Sequence, residues 1–224
     1  MTGEAGPRGA RSALDLRLYL ITDREQCSEL GVVDTVRAAL HGGVTAVQLR
    51  DPAASDAELV ALGRDIAAEL RGSNVPLLVD DRVDLVSTIG ADGAHVGQGD
   101  MPADDARAML GEQATLGLSV GTLDEFARAG ELAPGTVDYL GVGPVWGTAS
   151  KPDHAPPIGL TGLSDIASRS PWPVVAIGGI SLARTAAVRR SGAQGIAVIS
   201  AVCAQQDPTT ASRDLLAAWE GATP

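Results

Sequence analysis

Eight short apolar runs, each ending in polar residues or glycine, divide the chain at intervals of about 20–30 residues. The runs are rich in valine, isoleucine and leucine and show little polar alternation. This pattern is typical of strands covered on both faces, and therefore of a parallel sheet. The runs occupy residues 17–23, 45–51, 75–81, 92–98, 114–120, 138–145, 172–179 and 194–200.

Amphipathic segments between the runs predict helices, for example at 32–43, 57–70, 103–111 and 182–192. A strand followed by a crossover helix has the length of one such repeat, so eight repeats predict a single α/β domain, a (β/α)₈ TIM barrel, over residues 17–220. An open doubly wound sheet is the alternative, but no Gly-x-Gly-x-x-Gly fingerprint follows the first run. Residues 1–16 are expected to form a disordered tail.

Charge and cysteine content narrow the classes of function. The formal net charge of −11 argues against binding to nucleic acid or to an anionic membrane. Cys27 and Cys203 lie far apart and fit no metal-binding spacing, so neither a disulfide framework nor a zinc site is expected. No stretch has the pattern of a transmembrane helix or a signal peptide. We expect a cytoplasmic protein that acts on small molecules, and the sequence leaves open whether it forms a homo-oligomer.

Functional residues of such a barrel lie at the carboxyl ends of its strands. Gly178 and Gly179 follow the seventh run, and Ile199 and Ser200 end the eighth. The loops after these two strands often hold phosphate through backbone N–H groups, so the sequence predicts a phosphate site there. The alternative is that the paired glycines only form a tight turn.

Two carboxylates and two basic residues follow other runs at the same face. Asp81 and Asp100 end adjacent runs and are expected to converge, since neighbouring strands are close together. Two carboxylates completed by substrate oxygens and water commonly hold Mg²⁺, although such aspartates also serve as helix caps. Together with Arg50 and Lys151, they indicate a diphosphate whose charge is neutralised by cations.

Residues 147–160, GTASKPDHAPPIGL, interrupt the repeat with a long polar segment. The prolines exclude a long helix, and loops of this length in compact domains are usually binding loops or linkers. Thr148, Ser150 and Lys151 can donate hydrogen bonds to phosphate oxygens, which favours a lid over bound substrate. His95, a single histidine in an apolar run, is more often a hydrogen-bonded structural residue than a catalyst.

Seven motifs, in order and at the expected spacings, resemble the thiamine phosphate synthase family. They are QLRD (48–51), VDDRVDL (79–85), GAHVGQGD (93–100), GLSV (117–120), GVGPVWGTASKP (141–152), AIGGI (176–180) and IAVISAV (196–202). The resemblance covers about residues 17–215. It implies a Mg²⁺-dependent transferase that joins 4-amino-2-methyl-5-hydroxymethylpyrimidine diphosphate to 4-methyl-5-(2-phosphoethyl)thiazole and releases pyrophosphate. The implied reaction is dissociative: pyrophosphate leaves first, and the thiazole nitrogen attacks the resulting pyrimidine cation.

The resemblance also implies roles for residues of the pyrimidine diphosphate site. Gln48 would contact the pyrimidine and Arg50 the diphosphate, while Ser119 and Lys151 would bind the departing pyrophosphate. Asp80 belongs to the same substrate site, at a position that the family usually fills with asparagine. Arg50, Ser119 and Lys151 are thus the candidate catalytic residues.

The remaining implied roles concern the metal and the second substrate. Asp81 and Asp100 would hold Mg²⁺, as the residues alone already indicate. The thiazole phosphate would be bound by Thr148, Ser150, Gly179, Ile199 and Ser200.

Three positions depart from the family pattern, and two other functions stay open. Pro52 stands where a basic residue is common, Asp80 replaces asparagine, and Gly121 replaces a residue that is often histidine in related thiazole tautomerases. One alternative is a tautomerase-like barrel enzyme, which would need a proton-transferring side chain. The other is a non-catalytic barrel that binds a thiazole or thiamine phosphate.

Overall fold

The computed structural model describes residues 14–148, 150 and 156–221 and forms a closed barrel of eight parallel strands. The strands are β1 (Leu18–Ile21), β2 (Ala46–Leu49), β3 (Leu77–Asp80), β4 (Gly93–Val96), β5 (Thr115–Val120), β6 (Tyr139–Val142), β7 (Val174–Ile177) and β8 (Gly195–Val198). Each strand pairs with its neighbours in sequence, and β8 returns to β1. All eight predicted strands are confirmed, and the closed barrel excludes the open sheet.

Helices surround the barrel and include the four that the sequence pattern predicts. Within the described residues they are α1 (Val32–His41), α2 (Asp56–Leu70), α3 (Val86–Ile89), α4 (Ala103–Leu110), α5 (Leu123–Ala129), α6 (Gly159–Arg169), α7 (Leu182–Arg190), α8 (Ser200–Cys203) and α9 (Pro208–Gly221). In this part of the chain, none has both the length and the apolar character needed to cross a membrane.

Two features of the helices bear on how the outer ring is built. The capping box of α2 pairs the Ser55 side chain with the backbone of Glu58 and the Glu58 side chain with the backbone of Ser55, which fixes where this helix starts. After β8 the chain makes only the single turn of α8 before the longer α9. Helix α9 packs against α1 and α7 and so closes the outer ring.

Two apolar clusters form the core. The larger cluster lies between the strands and the helices and includes the free thiols Cys27 and Cys203. The smaller cluster, with Tyr19, Ala46, Leu78 and Tyr139 among its members, fills the inside of the barrel. Burial on both faces is the physical reason that the strands read as continuous apolar runs.

The chain enters the barrel a little earlier than the sequence predicts. Leu16 is 3% exposed and belongs to the inner cluster, against which Leu14 also packs. Asp15 forms an ion pair with Arg17, with 2.7 Å between the Asp15 carboxylate and the Arg17 guanidinium. Three residues assigned to the tail therefore contribute to the fold, while residues 1–13 lie outside the described residues.

Strand alternation determines which side chains reach the mouth of the barrel. Successive residues of a strand point to opposite faces, so residues two positions apart share a face. Ala46 and Leu78 belong to the inner cluster. Gln48 and Asp80 lie two residues further along the same strands and therefore also point inward, at the carboxyl ends.

Candidate active site

A cavity of about 540 Å³ opens at the carboxyl ends of the strands. It brings together eleven of the twelve residues that the sequence nominated for the site. Its lining includes Gln48, Arg50, Asp80, Asp81, Asp100, Ser119, Thr148, Ser150, Gly179, Ile199 and Ser200. Lys151 lies outside the described residues. Residues far apart in the sequence thus share one face because every strand of a parallel barrel ends there.

Asp80 connects two of the nominated side chains on one wall of the cavity. The amide nitrogen of Gln48 donates a hydrogen bond to the Asp80 carboxylate. The second oxygen of that carboxylate lies 3.4 Å from Nε of Arg50, and both side chains of this ion pair are only about one-sixth exposed (17% for Arg50, 16% for Asp80). Because a carboxylate only accepts hydrogen bonds, Gln48 must direct its NH₂ group at Asp80, and its own carbonyl oxygen is left to accept from another group.

Residues of the loop after β1 hold the backbone around Arg50 in place. Its N–H donates to Oγ1 of Thr22 at 2.9 Å, and the Thr22 hydroxyl donates to the Arg50 carbonyl oxygen at 3.2 Å. The buried carboxylate of Asp51 accepts from Nε of Arg24 at 2.5 Å. The loop after β1 therefore fixes the loop after β2, which positions Arg50.

Asp81 and Asp100 both line the cavity, at the ends of β3 and β4. Asp81 has φ of 58°, in the left-handed region that aspartate and asparagine tolerate better than most residues. Its N–H donates to the backbone oxygen of His95, which ties it to β4. One carboxylate oxygen of Asp100 accepts from the Gly97 N–H at 2.9 Å.

These two side chains suit a hard cation by the chemistry of their donors, since Mg²⁺ prefers oxygen ligands and keeps several waters. Within the described residues, no group of three or more His, Cys, Asp or Glu side chains is arranged to hold a metal by itself. A cation between Asp81 and Asp100 would therefore complete its coordination with substrate oxygens and water.

Ser119 is held by two side chains, one on β4 and one in the loop directly after it. Its hydroxyl oxygen lies 2.9 Å from Nε2 of His95, and its backbone oxygen accepts from the Gln98 side chain at 2.8 Å. The other imidazole nitrogen, Nδ1, lies 2.8 Å from the Tyr139 hydroxyl, which in turn lies 3.0 Å from the Tyr19 hydroxyl. Burial raises the pKa of both phenols, so each keeps its proton.

The sequence did not point to this chain of hydrogen bonds. Tyr19 and Tyr139 are the two tyrosines of the protein, and both lie at inward positions near the start of apolar strands. A polar-tipped aromatic residue usually finds a hydrogen-bond partner when it is buried, which is the signal that could have found them. The interpretation of His95 as a hydrogen-bonded residue agrees with the structure.

The double glycine after β7 packs directly against the loop after β6. Gly178 and Gly179 have φ of 94° and 65°, which favours glycine at both positions. A Cβ at Gly178 would collide with Pro144, and one at Gly179 would lie 2.8 Å from Cβ of Trp146. The backbone here must therefore pass close to the 144–147 segment, and both glycines line the cavity. After β8, Ile199 is the N-cap of the short helix α8, and Ser200 is its first residue.

The described part of the loop after β6 touches the loop after β1. Ser150 accepts a hydrogen bond from the Gln26 side chain at 3.0 Å, and its N–H donates to the Thr148 hydroxyl at 3.3 Å. Gln26 also donates to Asp23 at 3.1 Å. Thr148 and Ser150 lie at the cavity edge, while residues 149 and 151–155 of the predicted lid are outside the described residues. Helix α6 begins at Gly159, inside the last two residues of the segment predicted as loop.

Besides Asp80, two other positions depart from the family pattern, Pro52 and Gly121. Pro52 is exposed just beyond β2. Gly121 lines the cavity, and its N–H donates to the Glu125 carboxylate at 2.6 Å. Position 121 itself therefore contributes only a glycine backbone to the cavity wall, without a histidine side chain.

Comparison with known proteins agrees with the fold and the motifs. Residues 18–202 match the family model described as thiamine monophosphate synthase. The thiamine-phosphate synthase of Psychrobacter sp. (strain PRwf-1) is 46% identical over 207 residues, which cover 92% of this chain and 97% of that protein. The thiamine-phosphate synthase of Xanthobacter autotrophicus is 48% identical over 204 residues, covering 91% and 95%.

A solved structure agrees equally well. The thiamine phosphate pyrophosphorylase from Pyrococcus furiosus superposes with a TM-score of 0.84 at 37% identity, covering 95% of this chain and 99% of that one. The fold, the cavity at the strand ends and these relatives define a TIM-barrel transferase. The chain belongs to the thiamine monophosphate synthase family.

Proposed function

We propose that this protein joins 4-amino-2-methyl-5-hydroxymethylpyrimidine diphosphate to 4-methyl-5-(2-phosphoethyl)thiazole, giving thiamine phosphate and pyrophosphate in a Mg²⁺-dependent reaction. The observation that carries the proposal is the single cavity lined by Gln48, Arg50, Asp81, Asp100 and Ser119. The cavity combines an amide for a heterocycle, donors for a diphosphate and carboxylates for a cation. Family membership makes this combination specific.

The pyrimidine diphosphate binds along the wall formed by β2 and β3. Gln48, whose NH₂ group faces Asp80, offers its carbonyl oxygen to a donor on the pyrimidine. Arg50 offers its guanidinium to the diphosphate, a planar donor group suited to phosphate oxygens. This division places the ring inside the barrel and the phosphates at its mouth.

The reaction requires that the C–O bond to pyrophosphate break with its electron pair leaving on oxygen. Asp81 and Asp100 would hold Mg²⁺, which when bound neutralises the leaving diphosphate. Arg50, Ser119 and Lys151 donate hydrogen bonds to the same oxygens, and these interactions strengthen as negative charge accumulates there. The electron-rich aminopyrimidine carries the positive charge that remains on carbon.

The thiazole nitrogen then forms the new C–N bond using its lone pair, so no protein base has to remove a proton. Thr148, Ser150 and the backbone at Gly179, Ile199 and Ser200 would bind the thiazole phosphate. Holding this phosphate orients the nitrogen toward the pyrimidine carbon, which is catalysis by positioning. Residues 147–160 act as the lid that excludes water, since water would compete for the same cation.

We place the catalytic unit in residues 17–220 and expect the protein in the cytoplasm with small molecules as its partners. An assay of the purified protein with both substrates, with and without Mg²⁺, tests the function by measuring thiamine phosphate and pyrophosphate. Equal amounts of both products, formed only with Mg²⁺, are expected. Isomerisation of the thiazole phosphate alone would indicate a tautomerase. Binding of thiazole or thiamine phosphate without turnover would indicate a non-catalytic barrel.

A further inference from the structure

A continuous line of hydrogen bonds runs from the barrel interior to the cavity. It joins the side chains of Tyr19, Tyr139, His95 and Ser119, with heavy-atom distances of 3.0, 2.8 and 2.9 Å in that order. Tyr19 is 1% exposed, Tyr139 is 0% exposed and His95 is 7% exposed. Ser119 is half-buried and lines the cavity. The line therefore has one end in the dry interior and one end at the substrate.

Two glycines make room for the imidazole in this line. A Cβ at Gly117 would strike the Tyr139 phenol and Nδ1 of His95, and one at Gly141 would lie 2.9 Å from Cε1 of His95. Strand register explains these contacts, because Gly117 pairs with both His95 and Tyr139, and Gly141 pairs with Ser119. The backbone of both glycines thus lies close to the His95 ring, and these close contacts leave the ring little freedom to rotate.

The direction of the hydrogen bonds follows from counting protons. Each tyrosine and the serine carries one hydroxyl proton, and a neutral imidazole carries one N–H. If the imidazole proton is on Nε2, Tyr19 donates to Tyr139, Tyr139 donates to Nδ1, and Nε2 donates to Ser119. Every buried proton then has an acceptor, and the one proton left over belongs to Ser119, in the cavity.

The opposite direction leaves a proton in the interior without an acceptor. If the imidazole proton is on Nδ1, Nδ1 donates a hydrogen bond to the Tyr139 hydroxyl oxygen. The Tyr139 hydroxyl must then donate to Tyr19, or its own proton has no acceptor. Within the described residues, Tyr139 is the hydrogen-bond partner of the Tyr19 hydroxyl, so the Tyr19 proton would then be unpaired. An unsatisfied buried donor disfavours an arrangement by roughly 5- to 150-fold.

We propose that His95, fixed as its Nε2–H tautomer by Tyr139 and Tyr19, is a positioning residue that makes the Ser119 hydroxyl donate its proton into the cavity. An oxygen that accepts from His95 has its own O–H directed elsewhere, and the cavity is where an acceptor can bind. This inference rests on the proposed function for the identity of that acceptor, the departing pyrophosphate. The hydroxyl then does not have to reorient when negative charge develops on the leaving oxygen, which is the advantage of a preorganised donor.

The tautomer can be read without any activity. The ¹⁵N chemical shifts of the imidazole nitrogens distinguish Nε2–H from Nδ1–H in the uniformly labelled full-length protein. The chain has three histidines, His41, His95 and His154, so His41→Gln and His154→Gln assign the His95 signals by elimination. We expect the Nε2–H tautomer in the wild type. An Nδ1–H tautomer would overturn the proposal, whatever reaction the protein catalyses.

Kinetics test whether His95 acts through Ser119. His95→Gln can place an amide N–H near the position of Nε2, whereas the shorter side chain of His95→Asn cannot reach Ser119. We expect His95→Asn to lower kcat by about 10- to 100-fold, the usual effect of removing a partner that orients an active-site group, and His95→Gln to restore most of the rate. KM for both substrates should change little.

The decisive comparison is made in the Ser119→Ala background. If His95 acts only by orienting the serine hydroxyl, adding His95→Asn should slow Ser119→Ala by less than about twofold, because residues that work as a unit give non-additive losses. A full 10- to 100-fold loss in that background would show that His95 has another role and would overturn the proposal. Absence of synthase activity in the wild type would refute the proposed function instead, and the tautomer measurement would still decide this inference.

Discussion

Asp80 offers the sharpest test of how charge is arranged in the cavity, because asparagine usually occupies this position in the family. The Asp80→Asn substitution removes one negative charge and leaves the shape of the side chain almost unchanged. Its amide oxygen can still accept the hydrogen bond that Gln48 donates to Asp80. The ion pair with Arg50 is lost.

The size of the effect follows from the geometry of that ion pair. Unit charges separated by the 3.4 Å between Arg50 Nε and Asp80 Oδ2 attract by about 5 kcal/mol at an effective dielectric constant of about 20. Loss of hydration on both partially buried side chains offsets most of this attraction, which leaves a net value of about 1–2 kcal/mol. In the wild type, Arg50 must give up part of this interaction to bind a diphosphate.

We therefore expect Asp80→Asn to lower KM for the pyrimidine diphosphate at saturating Mg²⁺, with about 5- to 30-fold as the upper limit that the whole net interaction sets. The same substitution removes a carboxylate next to Asp81, so the Mg²⁺ concentration for half-maximal rate should rise. Steady-state kinetics in which the diphosphate and Mg²⁺ are varied independently separate these two effects.

Asp165→Asn is the matched control, because Asp165 forms its ion pair with Arg169 on the exposed surface of α6 at 2.9 Å. It makes the same change of charge far from the cavity mouth and should leave both parameters unchanged. A higher KM for the diphosphate in Asp80→Asn at saturating Mg²⁺, or a kcat reduced by more than about tenfold, would refute this account of Asp80.

Three further predictions concern the other residues of the proposed site. Asp81→Asn and Asp100→Asn should each remove most of the activity without lowering Tm. Asparagine is chosen because it tolerates the positive φ of Asp81 and can keep the hydrogen bond that Gly97 donates to Asp100. Normal turnover with Mg²⁺ in both variants would contradict the metal assignment. Lys151→Ala should lower kcat on the order of 10²–10³-fold, and Thr148→Ala should mainly raise KM for the thiazole phosphate. Steady-state kinetics on the two variants distinguish these roles. Wild-type behaviour of Lys151→Ala would mean that residues 147–160 are only a linker. Pro52→Lys should keep activity or tighten binding of the diphosphate, since Pro52 is exposed just beyond β2, at the face where the diphosphate is proposed to bind. A strong loss in the same assay would mean that Pro52 shapes its loop.

The fold was predictable because its main determinant, burial on both faces of every strand, is written in consecutive residues. Strands β2 and β4, which end at Leu49 and Val96, are apolar because helices cover their outer faces and the inner cluster fills the inside of the barrel. Helix α9 was harder to predict from the pattern. Its buried positions, Ser212 among them, include small and polar side chains that weaken the apolar periodicity.

The site was predictable only in part, because some of its contacts join residues that are far apart in the sequence. Residues that follow strands, such as Arg50 and Asp100, can be recognised in the sequence as polar groups after an apolar run. The Tyr19–Tyr139 contact joins residues 120 positions apart, and its existence depends on barrel closure and on Gly117 being too small to fill the space. No local pattern contains that information, since it arises from strand register across the barrel.

The balance of charge at the cavity suggests how a strongly acidic chain would act on the two anionic substrates proposed above. Among the described residues that line the cavity, Asp80, Asp81, Asp100 and Glu125 are carboxylates and Arg50 is the one arginine or lysine. Such a mouth repels a diphosphate unless positive charge is added, and two sources are proposed here: Mg²⁺ held by Asp81 and Asp100, and Lys151 from the lid. The same carboxylates that repel a free diphosphate then favour its complex with Mg²⁺, so binding and charge neutralisation become a single event.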